Sequence, residues 1–222
     1  MANNIITWDE SANRRYELGV SKGVIYRKDE TGAYTRAEAW NGLTSVSESP
    51  EGADNNKIYA DNIEYAALRA VETYGCSIEA YTYPDLFEEC DGFKELADGV
   101  VVCQQTREVF GLSFRTELGS AEKGMDLGYK LHLVYGLTVS PSEKSYESIN
   151  DSPDAITMSW DAEASPVSVS GMKTTASITI DSTKCDATCL AKLEAALYGS
   201  AEKDAYLPLP DEVKTLMTTT LK

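Results

Sequence analysis

The chain has 222 residues, with 36 acidic and 20 basic side chains and a formal net charge of −16. That balance excludes a protein that holds nucleic acid by neutralising phosphates, which needs clustered Lys and Arg. At 42% hydrophobic residues the chain can bury a core without staples, and no run approaches the roughly 18 apolar residues of a membrane span.

The first residues, Met1-Ala2-Asn3-Asn4-Ile5-Ile6, lack the basic and apolar regions of a signal peptide, so synthesis in the cytoplasm is expected. Period-2 alternation then dominates. Weaker strands are predicted at 22–28, 36–48, 57–69 and 75–83. The last two form a long hairpin turning at 70–75, although 66–72 also suits one or two helical turns. Residues 85–98 carry Asp85, Glu88, Glu89, Asp91, Glu95 and Asp98 against Lys94 alone and read as a solvated acidic loop. A weak strand at 100–105 precedes a firmer one, where Phe110, Leu112 and Phe114 alternate with Gly111, Ser113 and Arg115.

Residues 119–124 are a turn. They have the outer spacing of a phosphate loop, but Met125 and Asp126 stand where Lys and Ser or Thr are needed. Leu127, Tyr129, Leu131, Leu133, Tyr135, Leu137 and Val139 predict one long strand with one greasy face. Residues 141–153 read as an ordered connection. Ile156, Met158, Trp160 and Ala162 mark another strand, and Ala176, Ile178 and Ile180 a further one. One helix is clear: Asp186 caps it, Leu190, Leu193 and Leu197 share a face, and Gly199 ends it. The β domain therefore spans 1–199. Residues 200–222, punctuated by Pro208 and Pro210, read as a C-terminal arm with a short helix over 211–219. The architecture is mainly β, an antiparallel sandwich with a flanking helix.

Residues 61–127 hold 14 acidic and 5 basic side chains, a net of −9 and more than half of the total excess. Motifs that carry chemistry are scarce. There is no nucleophile elbow, no His-Glu-x-x-His and no Cys-x-x-Cys. The acidic run lacks calcium-loop spacing. His132, the only histidine, sits on a strand with no orienting partner in sequence and reads as structural. Cys76, Cys90, Cys103, Cys185 and Cys189 suit reduced thiols better than a disulfide framework, and Cys185 and Cys189, four apart, do not make a four-ligand metal site. Neither cofactor nor metal is expected, and a structural or binding role is favoured over an enzyme.

The run Trp40-Asn41-Gly42-Leu43-Thr44-Ser45-Val46-Ser47-Glu48-Ser49-Pro50-Glu51-Gly52 is followed by Ile58-Tyr59-Ala60-Asp61-Asn62 and Ile78-Glu79-Ala80-Tyr81-Thr82-Tyr83-Pro84. Later come Gly128-Tyr129-Lys130-Leu131-His132-Leu133-Val134-Tyr135-Gly136, Ile149-Asn150-Asp151-Ser152-Pro153 and Ile180-Asp181-Ser182-Thr183-Lys184 before a short helix. In this order the strings resemble the major tail (tail tube) proteins of long, non-contractile-tailed bacteriophages, the siphophage type, over about residues 1–199. The resemblance implies hexameric rings that stack into a tube, with strands of each subunit joining a shared inner β-barrel. It implies a tape measure protein inside the tube, tail terminator and tail-tip proteins at its ends, DNA passage without specific binding, no membrane anchor, and residence in the virion tail.

An acidic wall repels phosphate, and on this reading the hairpin 57–83 joins the inner barrel. Asn62, Glu64, Ser77, Glu79 and Tyr81 are its candidate lumen residues. The segments 42–56 and 85–99 are candidate stacking loops, and the arm is expected to be mobile in a lone subunit. The alternative is a monomeric β-sandwich binding module, for carbohydrate or surface recognition, using Trp8, Trp40, Trp160 and tyrosines as a stacking platform.

Overall fold

The computed structural model describes Ile6, Trp8 and residues 14–52, 54–146, 148–149, 151 and 154–218. Its centre is one antiparallel sheet. β1 (Arg15–Lys28) pairs with β2 (Tyr34–Trp40) on one side and β9 (Phe110–Ser120) on the other. β9 continues into β10 (Gly124–Val139), and β10 into β11 (Met158–Ala164). β11 pairs with β6 (Thr73–Ala80), and β6 with β3 (Leu43–Glu51) at the far edge. β12 (Ser177–Asp181) lies along the middle of β10, from Lys130 to Val134. The mainly β, antiparallel reading therefore holds, but the two expected layers are two limbs of one bent sheet.

The limbs meet across a shared core. Ile25, Phe110, Leu112, Phe114, Val134, Leu137 and Val139 from one limb pack with Cys76, Ile78, Ala80, Trp160 and Ala162 from the other. A second core lies on the opposite face of the first limb, where Val24, Tyr26, Leu131, Leu133 and Tyr135 meet α2 (Ala187–Tyr198). β10 serves both cores, and this corrects its single greasy face. Leu131, Leu133 and Tyr135 face the helix, but Leu137 and Val139 face the shared core. The inversion happens at Gly136, whose φ of +66° breaks the alternation and shifts the register with β9. A Cβ there would lie 2.2 Å from the Ser165 carbonyl oxygen. Gly136→Ala is therefore expected to cost more than the roughly 1–2 kcal/mol of the left-handed backbone alone. Urea unfolding checks this, and an unchanged midpoint would contradict it.

The strand predicted over 36–48 is two strands. Asn41-Gly42 usually marks a hairpin, yet β2 and β3 sit at opposite ends of the sheet path. Trp40 is driven into the shared core, where its indole donates to the Thr82 carbonyl at 3.0 Å. The chain therefore turns a corner at Gly42, with φ +75°, and crosses to the other limb. The segment 42–56, expected as a loop, is mostly strand β3.

The predicted hairpin 57–83 also needs correction. Its tip is at Asp61-Asn62, where both residues take the left-handed φ (53° and 63°) that a tight two-residue hairpin demands. β4 (Asn55–Ala60) and β5 (Ile63–Arg69) pair across that tip. The true hairpin thus runs from β3 through β4 and β5 to β6. Its base, β3 and β6, is built into the sheet, and its distal half is a separate two-stranded ribbon.

The acidic segment 85–98 is not a plain loop. α1 (Asp85–Cys90) buries Leu86, Phe87 and Cys90 in the shared core, and β7 (Lys94–Ala97) pairs with β8 (Val100–Val102). α2 matches its expected bounds: the Asp186 carboxylate accepts from the Thr188 and Cys189 amides, and Gly199 stops the helix at φ +81°. The arm is docked rather than mobile. Leu207 and, on α3 (Pro210–Met217), Val213 lie in the second core, and the Tyr135 hydroxyl donates to the Pro208 carbonyl at 2.9 Å. The rest of the predicted helix, at Thr219, falls outside the described residues, as do Asn150, Ser152 and Pro153 of the connection.

Candidate functional site

The second limb carries a face with a single chemistry. Cross-strand register sets β3, β6 and β11 in rows: Ser45–Glu79–Ser159, Ser47–Ser77–Asp161 and Ser49–Gly75–Glu163. The alternate rows, Val46–Ile78–Trp160 and Glu48–Cys76–Ala162, point to the other side, where Ile78, Cys76, Trp160 and Ala162 are core. The outward rows hold serines, one glycine and three carboxylates, with no cation and no large apolar group. Ser45 donates to the Glu79 carboxylate at 2.9 Å, and the Ser77 and Ser159 hydroxyls lie 3.4 Å apart. A cleft of about 450 Å³ continues this face along Ser49, Ser77, Ser140, Asp161 and Glu163. Hydroxyls and carboxylates keep such a surface hydrated, and it offers no Lys or Arg to a phosphate.

The five sequence-derived residues divide between three places. Ser77 and Glu79 share the serine–acid face. Asn62 is the exposed hairpin tip and Glu64 lies on β5, paired with Lys57 at 2.7 Å. Tyr81, 54% exposed, follows the end of β6. Sequence reasoning missed Ser45, Ser47, Ser49, Ser159, Asp161 and Glu163. The signal was present as alternation of polar residues at 45–49 and 159–163.

The distal ribbon is the opposite in character. No described side chain of β4 or β5 is buried. Ile58, Tyr59, Ile63, Tyr65 and Leu68 are all exposed, Tyr65 by 74%. A two-stranded hairpin alone is marginal in water, and exposed apolar groups in one place mark an interaction surface. Edge strands β2 and β3 each leave one side unpaired by another strand.

His132 belongs to a structural network. Its ring stacks on Phe114 with centroids 4.6 Å apart. Burial lowers its pKa, opposed by the Glu17 carboxylate at 3.4 Å. Burial alone would raise the Glu17 carboxyl, yet hydrogen bonds from Lys130 and Thr116 hold it below its usual range. The Thr116 hydroxyl donates to Glu17, so its proton is already committed and is not one that His132 can take. Burial pushes the Cys76 and Cys90 thiols up to about 12, which leaves them as neutral core groups. Cys185 precedes α2 rather than sharing its face with Cys189. Among the described residues no group of three or more His, Cys, Asp or Glu could hold a metal ion, and no helix is long and apolar enough to cross a membrane. Trp40 and Trp160 are buried, which removes two of the three tryptophans from any stacking platform.

No family model matches the sequence, and no curated protein matches it. Among solved structures, one chain from the cryo-EM structure of an extracellular contractile injection system, the PVC sheath-tube complex in its extended state, is similar. The TM-score is 0.31 at 12% identity, over 72% of this chain and 88% of that chain.

Proposed function

We propose that this chain is a structural subunit that assembles into a phage-type tail tube and catalyses no reaction. The observation that carries the reading is the long hairpin from β3 to β6, whose base presents serines and acids and whose tip half presents uncovered apolar side chains. One half needs a protein partner and the other suits water. A second copy of the chain meets both needs when subunits close into rings and rings stack. Heterologous contacts that close make rings, and a repeated axial contact makes a tube. The order of the sequence strings supports hexameric rings of the siphophage kind.

In such a tube the serine–acid face of β3, β6 and β11 is the candidate lumen wall, with Ser77 and Glu79 on it. Phosphates are repelled there, so DNA can pass without being held. The tape measure protein, tail terminator and tail-tip proteins are the further partners, and the virion tail is the location. The binding-module reading is the weaker one, because Trp40 and Trp160, two of the three tryptophans of its stacking platform, are core.

Negative-stain electron microscopy of the purified full chain, alone and with a tail-initiation complex, tests this. Rings or tubes about one subunit deep per layer are expected. A chain that stays monomeric under both conditions overturns the reading.

A further inference from the structure

We propose that the cleft around Lys28, Arg36 and Arg107 binds carboxylates presented by a second copy of this chain, an inference that rests on the self-assembly reading above. The cleft measures about 440 Å³ and forms where the end of β1, the turn at 29–30, β2 and the segment before β9 meet. Four cations converge there in a chain that has only 20 against 36 acids. Arg27 is neutralised by Glu89, with Glu108 3.8 Å away. Lys28, Arg36 and Arg107 make no ion pair among the described residues.

Two features mark the cleft as built for an anion. Arg27 and Arg36 are direct cross-strand partners, and Glu89 and Glu108 offset Arg27 but not Arg36. The Arg107 Nε is buried with no hydrogen-bond partner, so this guanidinium is not used up by contacts inside the subunit. Asp29, Glu30 and Glu108 also line the cleft, three acids against its four cations. The Asp29 carboxylate accepts from the Thr31 and Ala33 amides and from the Thr31 and Thr35 hydroxyls, and Glu108 faces Arg27. Asp29 and the exposed Glu30 make no ion pair among the described residues.

The partner follows from charge. Subunits of −16 repel one another, so an assembly of identical copies needs a place where a carboxylate meets cations. Guanidinium groups take carboxylates in paired hydrogen bonds. A nucleic acid would have to approach through the surrounding acidic surface, which disfavours it as the occupant.

Sedimentation velocity of the full chain tests this, with Arg36→Glu/Arg107→Glu and with the charge-conserving Arg36→Lys/Arg107→Lys. The charge-reversed protein is expected to need at least about tenfold higher concentration to associate, as steered charge contacts give. The lysine protein should keep most of its association, and the wild type should gain less association from added salt than the charge-reversed form, because salt screens the general repulsion in both but a cleft attraction only in the wild type. If Arg36→Glu/Arg107→Glu does not fold by circular dichroism, Arg36→Glu alone, at an exposed position, is read instead. A wild type that associates alongside an equally associating charge-reversed protein overturns the cleft and leaves self-assembly standing. A wild type that never associates overturns both.

Discussion

Asp91→Ala should lower the unfolding free energy by about 3–5 kcal/mol, the range for breaking one partner of a buried ion pair. Asp91 caps the C-terminus of α1 and its side chain is only 5% exposed. One oxygen, Oδ2, accepts from Lys144 Nζ at 2.8 Å and from the Trp160 indole at 3.2 Å. The Lys144 ammonium in turn sits 4.6 Å from the Phe93 ring centroid, with Tyr83 and Trp160 slightly farther. Removing the carboxylate leaves a cation among aromatic rings and an indole N–H without its acceptor. The effect should reach the connection after β10, because Lys144 is its anchor to the shared core. Urea unfolding at neutral pH measures the loss. Adding Lys144→Met to Asp91→Ala should recover part of it, since the stranded charge goes too. A loss below about 1 kcal/mol would show that the pair is effectively solvated.

This pair also shows what the sequence could reveal and what it hid. Alternation found β10, β11 and β12, because each of these strands has a face that must be buried and that requirement is local. The Asp186 cap and Gly199 stop found α2 for the same reason. Neighbour relations are not local. Trp40 and Leu43 looked like one strand across Asn41-Gly42, and only burial of Trp40 against Phe87 and Trp160 explains why the chain turns there. The acidic composition of 85–98 masked Leu86, Phe87 and Cys90, whose spacing is helical but brief. Leu207, Pro208, Pro210 and Val213 are too sparse to announce a docked arm, yet these four buried residues and the Tyr135–Pro208 bond hold it. Ser77 and Glu79 were legible as alternating polar positions. Their neighbours on the serine–acid face come from β3 and β11, which only the register places beside them.

The hairpin tip half gives the largest expected effect on assembly. Ile63→Asp/Tyr65→Asp should leave the lone subunit folded, because both side chains are already exposed, by 65% and 74%, and surface changes usually stay within about 0.5 kcal/mol. If a neighbouring copy buries them, the same change removes two large side chains from that contact. Each contributes about 1.5–3 kcal/mol on burial, so the pair forfeits about 3–6 kcal/mol, or roughly 10²–10⁴-fold in association. Rings or tubes that form with wild-type protein should therefore be absent at the same concentration, while the melting temperature of the dilute subunit is unchanged. Tubes at wild-type yield would show that the ribbon is not the contact. The contrast with Arg36→Glu/Arg107→Glu is informative: added salt should weaken the cleft contact but not the ribbon contact, because screening acts on charge and not on apolar burial. Salt also screens the repulsion between subunits of −16, so the two surfaces are separated by comparing the salt response of the two variants with that of the wild type.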